Sequence, residues 1–191
     1  HIAYACCKER AHSHVQQVLV SFWRYFGQLP RGCLPAECGF SYGLVVVLSE
    51  YPIDWIGTGE STLRNSLSRS DRYRKKPMEE HLHRAYRIAG HGPACFFRDD
   101  GLSDLFRFTY LSWHGDDAVN NLVHHLETIA EECNDDKDRV VAIVLDGENA
   151  WESYPENGYH FLRMPGSPTR KMAIIFFRPC MNVWVNTRPL I

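Results

Sequence analysis

Apolar positions along the 191-residue chain recur in two alternating patterns. Between Ser13 and Phe26, residues Val15, Val18, Leu19, Phe22 and Phe26 fall three and four apart. That spacing predicts one face of a helix, with Gly27 as its stop. A short strand is expected at Pro30–Glu37, a helix from Ser41 to Tyr51 despite Val45-Val46-Val47, and a buried strand at Asp54–Thr58. The polar stretch from Arg64 to Glu80 reads as an irregular excursion. Brief strands follow at Tyr86–Ile88 and Ala94–Phe97. From Asp116 to Cys133, Val119, Leu122, Val123, Leu126 and Ile129 share a helical face, and Asp116-Asp117 suit its N-terminus. Arg139–Leu145 is the strongest strand: continuously apolar and β-branched, as a strand buried on both faces should be.

Strands alternating with helices predict parallel βα units and an α/β fold. In such folds the C-terminal strand ends carry the site. Three predicted ends here are acidic: Glu37, Asp99-Asp100 and Asp146/Glu148.

A formal net charge of −2 gives no electrostatic footprint for nucleic acid or an anionic membrane. The basic run Arg72 to Lys76 reads as a solvated loop or helix end. No stretch approaches the roughly 18 apolar residues of a membrane span, and no basic segment followed by an apolar run opens the chain. With no initiator Met, the sequence is expected to be part of a longer chain. Seven scattered cysteines without CxxC spacing suggest reduced thiols and a cytoplasmic setting. Zinc chemistry has no HxxxH motif to stand on, and His114 and His124-His125 are expected at the surface or in the core.

Two carboxylates opposed across a cleft can cleave a glycosidic bond, one as nucleophile and one as general acid. Glu37 and Asp146 lie on different predicted strands, so folding can oppose them. The bland alternative stays open. Asp-Gly is a common turn, Asp146 can cap the next helix, and an Asp146–Glu148 pair can hold a cation if other ligands join it.

Leu145-Asp146-Gly147-Glu148-Asn149-Ala150-Trp151-Glu152-Ser153-Tyr154-Pro155-Glu156-Asn157-Gly158 resembles the LDGENxWExYPxxG motif of glycoside hydrolase family 57, in its amylopullulanase-like branch. Phe97-Arg98-Asp99-Asp100-Gly101-Leu102-Ser103-Asp104 is similar to that branch's FRDxxLSD segment. Gly32-Cys33-Leu34-Pro35-Ala36-Glu37 is similar to the family's GxWPxE motif. The resemblance implies part of a (β/α)7 barrel, its second half, over residues 1–162, with 163–191 a divergent tail. It also implies retaining cleavage or transfer on an α-glucan, with no cofactor and no metal.

By position, Glu37 becomes the nucleophile and Asp146 the acid/base. Glu148, Trp151, Arg98, Asp99 and Glu60 become residues that bind substrate or order the site. The implied partner is the first half of the barrel, with its His-Gln-Pro strand. Three positions depart from the pattern: Leu34 stands where Trp is usual, Cys38 replaces Gly, and Arg107 puts a charge in an apolar run where it needs a partner. Leu34 and the absent half support a rival reading, a non-catalytic carbohydrate-binding domain, against which the retained Glu37 and Asp146 stand. A metal-dependent deacetylase of related fold lacks its Asp and His ligands here.

Overall fold

The computed structural model describes residues 6–69, 77–88, 92–132, 139–145, 151–163 and the strand at 175–177. The chain divides into two compact units, His1–Arg98 and Asp99–Ile191.

The first unit opens on helix α1, Lys8–Phe26. Gly27 ends it in the left-handed region (φ 67°), donating its N–H to the Trp23 carbonyl at 2.8 Å. The helix starts five residues before the predicted Ser13, and its buried residues are Ala11 and Val15, whereas Val18 is 59% exposed and Phe26 41%. Length explains the difference. Helix α2, Tyr42–Leu48, spans about 10 Å against about 28 Å for α1 at 1.5 Å per residue, so it covers only part of the apolar stripe. The Ser41 hydroxyl caps α2 by accepting the Leu44 N–H at 3.1 Å. Leu44, Val45, Val47 and Leu48 are buried against Ala11, Val15 and Ile56. That burial outweighs the weak helix propensity of the valines.

Strand β1, Gly32–Cys33, pairs in parallel with β2, Trp55–Gly59, which pairs in parallel with β4, Ala94–Arg98. The short β3, Tyr86–Arg87, runs antiparallel to β4. Between β2 and β3 lie helices α3, Glu60–Ser68, and α4, Glu79–Leu82. The predicted irregular stretch is thus helical at both ends. A buried leucine on each, Leu63 and Leu82, docks it on Cys95 and Phe97 of β4. Residues 70–76, with the basic run, lie outside the described residues.

The second unit begins with helix α5, Asp100–Asp104, followed by a π-helical turn at Leu105–Thr109 and a 3-10 turn at Tyr110–Ser112. Helix α6, Gly115–Glu132, buries Ala118, Leu122 and Leu126, while Val123 faces out at 38% exposure. Strand β5, Ala142–Val144, is shorter than predicted and pairs in parallel with β6, Ile175–Phe177, inside the segment read as a tail. Helix α7, Tyr159–Arg163, follows a turn at Pro155–Gly158. The core gathers Leu102, Phe106, Tyr110, Ile143, Tyr154 and Phe161. Arg107 does not lie buried within that apolar run. It is exposed, with its guanidinium 5.1 Å from the centroid of the Phe108 ring.

Candidate active site

Parallel pairing brings the C-terminal ends of β1, β2 and β4 to one edge of the first unit's sheet. Gly59 is in register with Arg98, and Cys33 with Ile56. Glu37, Glu60 and Arg98 all leave the sheet at that edge.

Beyond β1, Leu34-Pro35 leads into a 3-10 turn at Ala36–Cys38. Glu37 (φ 54°, ψ 31°) and Cys38 (φ 52°) both occupy the left-handed region that favours glycine. Each such residue costs of order 1–3 kcal/mol, and persists only where its surroundings impose it. The surroundings are on the adjacent strand. Thr58, fully buried, donates its hydroxyl to the Cys38 carbonyl at 2.8 Å. The turn also closes on itself through Cys38 N–H to Pro35 at 3.0 Å and Gly39 N–H to Ala36 at 3.1 Å. The result is an exposed carboxylate at Glu37 on a backbone that is held from beneath.

Leu34 lies over Gly57 of β2: a Cβ there would sit 3.1 Å from Leu34 Cδ1. The side chain thus rests against the sheet on one side, while 39% of the residue stays exposed. Glu60 opens α3, where its charge suits the helix N-terminus. Its side chain is 15% exposed and accepts from Arg64 Nη2 at 2.5 Å. Arg98 is half-buried at the last position of β4. Burial pushes the thiols of Cys33 and Cys95 up to about 11, so both stay neutral and unreactive near pH 7.

In the second unit Asp99 caps α5, its carboxylate accepting the Leu102 N–H at 2.8 Å. Ser103 is buried and joins two elements. It donates to the Asp99 carbonyl at 2.6 Å and accepts the Val144 N–H at 3.2 Å, while Asp99 N–H bonds the Ala142 carbonyl at 2.8 Å. Asp99 and Ser103 are thereby stitched onto β5. Trp151 packs among core aromatics, its ring 5.2 Å from Tyr154 and 6.2 Å from Phe161. Asp146 and Glu148 lie outside the described residues. His114 and His124-His125 are at the surface, His114 beside Asp116 at 3.8 Å. Among the described residues no three His, Cys, Asp or Glu side chains gather as a metal site, and no helix is long and apolar enough to cross a membrane.

Sequence reasoning missed three hydroxyls: Thr58, Ser103 and Tyr154. Thr58 carried a faint signal as a hydroxyl between two glycines at the end of an apolar strand. Tyr154 donates to the Phe106 carbonyl at 2.5 Å, inside the π-helical turn, and Tyr110 donates to Asn121 at 2.8 Å. Replacing Tyr154 with Phe should cost about 1 kcal/mol by removing that buried bond, read as a lower denaturation midpoint at unchanged slope.

Burial pushes Tyr110 up to about 12, and burial plus charge on Tyr110 raises Tyr154. Unfolded tyrosines ionise near pH 10, before the folded ones. This stability is therefore whole below about pH 10 and is lost as pH rises toward 12. Denaturant midpoints measured from pH 8 to 12 should fall over that window, and less steeply in Tyr154→Phe.

The crystal structure of a 4-alpha-glucanotransferase from Thermococcus litoralis is similar to 93% of this chain, with a TM-score of 0.58 and 18% identity. The chain spans 24% of that protein's length. The likeness carries the fold, α/β with parallel strands joined through helices, as a partial (β/α)7 barrel. No curated protein matches the chain. The family model of glycosyl hydrolase family 57 matches residues 3–167, most of the sequence, and the chain belongs to that family.

Proposed function

We propose that the chain supplies the catalytic carboxylates of a retaining α-glucan hydrolase or glucanotransferase, with Glu37 as nucleophile and Asp146 as acid/base. The observation that carries this is the Glu37 turn. It presents an exposed carboxylate on two successive left-handed residues, at the strand end where α/β folds place their chemistry. Family membership and the glucanotransferase likeness support the substrate class.

In the first step the Glu37 carboxylate attacks the anomeric carbon as the glycosidic C–O bond breaks, and Asp146 gives its proton to the departing oxygen. In the second, Asp146 takes a proton from water or a sugar hydroxyl, which attacks the anomeric carbon and releases Glu37. Water gives hydrolysis and a sugar gives transfer. Retention needs the two carboxyls about 5–5.5 Å apart. Glu148, Arg98 and Glu60 serve the sugar directly. Trp151 helps to bind it as well, and Asp99 binds it or orders the site from its place as the cap of α5. The remaining βα units of the barrel complete the cleft.

Incubating the protein and its Glu37→Gln form with a chromogenic α-maltooligosaccharide tests the assignment. Release, or a trapped covalent sugar, is expected from the first alone. Equal release from both would sink Glu37 as nucleophile. Binding without turnover in both would favour a non-catalytic carbohydrate-binding domain. That second reading has Leu34 behind it, since the residue lies on Gly57 with no aromatic face to offer a glucose ring.

A further inference from the structure

We infer that Thr58 is a positioning residue for Glu37, acting through the Cys38 carbonyl; this rests on the reading of Glu37 as nucleophile. Two left-handed residues in succession do not hold themselves, because each relaxes toward negative φ unless restrained. The turn's own two bonds link Pro35 to Cys38 and Ala36 to Gly39, so they move with it. The hydrogen bond from Thr58 ties the turn to a neighbouring strand.

Thr58 is suited to this by place and by chemistry. It has no exposed surface and sits within β2, paired with β4 through Phe97, so its Cα is among the better restrained positions of the unit. Its hydroxyl has one proton, which goes to Cys38. The Thr62 hydroxyl, 3.3 Å away, must then direct its own proton toward Thr58. Donation from Thr62 polarises the Thr58 hydroxyl and strengthens its bond to the carbonyl. The relay Thr62 to Thr58 to Cys38 thus anchors the peptide next to the nucleophile, one residue from the reacting oxygen.

The closing experiment uses a fluorinated α-glucosyl fluoride, which a retaining nucleophile attacks with loss of fluoride to leave a slowly hydrolysed glycosyl ester, located by mass spectrometry. In Thr58→Val the labelling rate constant should fall on the order of 10²-fold, the loss expected from a misplacement near 1 Å, while the half-saturating concentration holds. Thr58→Ser, which keeps the hydroxyl, should restore most of the rate. Hydrogen exchange at the Cys38 and Gly39 amides should quicken about 5- to 10-fold in the Val form, with amides of α2 unchanged. Equal labelling by wild type and Thr58→Val overturns the inference, as do Ser and Val forms equally slow, or exchange at the turn unaltered. A wild-type protein labelled elsewhere than Glu37 overturns the nucleophile reading instead, with exchange still reporting on the Thr58 anchor.

Discussion

Glu37→Ala should lower turnover of an activated α-glucoside by a factor on the order of 10⁴ or more, and added azide should restore part of it. Removing the carboxylate abolishes the covalent step and leaves a space at the base of the anomeric carbon. The exposed turn at Glu37 gives a small anion access to that space. Azide arriving there attacks from the face the carboxylate occupied, so the product should be the β-glycosyl azide, with inverted configuration. Asp146→Ala should behave oppositely. Its first step survives for substrates whose leaving group needs no proton, azide enters in the second step, and the product should be the α-azide. Product anomers, read by proton NMR, separate the two roles. An α-azide from Glu37→Ala, or turnover within tenfold of wild type, would reverse the assignment.

Gly158→Ala should lower stability by about 2–5 kcal/mol, the sum of two independent costs. Gly158 has φ +78°, where an alanine loses about 1–2 kcal/mol. A Cβ there would also stand 2.7 Å from Trp151 Cε3, an overlap costing about 1–3 kcal/mol unless the indole shifts. The indole has little room, being packed against Tyr154 and Phe161. Glu156 and Asn157 precede it at φ 50° and 52°, so the whole turn is left-handed and its final glycine is the position least able to take a side chain. At about 2–4 °C per kcal/mol for a chain of this size, the melting temperature should drop by roughly 4–20 °C. Gly43→Ala is the informative contrast. It lies exposed in α2, with only Ser41 Oγ at 3.8 Å, and should gain about 0.5–1 kcal/mol. A Gly158→Ala protein melting with the wild type would show that Trp151 is looser than its contacts indicate.

The family motifs were legible in the chain, but what their residues do was only half legible. Glu37 stood out as an acid at a strand end, and its left-handed backbone did not. Asp99, read as binding substrate or ordering the site, also caps α5, which the motif did not show. Trp151, read as helping to bind sugar, packs on Tyr154 as well, with Gly158 making room for its ring. A motif match marks positions under joint constraint, without separating those that touch a sugar from those that hold the loop.

Local physics made the elements readable. The stop at Gly27, the helix beginning near Ser41 and the apolar β2, β4 and β5 depend on a few neighbouring residues, so their pattern was enough. Burial was another matter. Val18, Phe26 and Val123 fall on the apolar faces of their helices and yet stay exposed, because exposure depends on how far the opposing element reaches. The decisive bonds also join distant positions: Thr58 to Cys38 across 20 residues, Val144 to Ser103 across 41 and Tyr154 to Phe106 across 48. Periodicity reports only on residues two to four apart. An acid in the right motif was therefore visible along the chain, whereas the strained turn beneath Glu37 and the hydroxyl that anchors it emerged only once β1 lay beside β2.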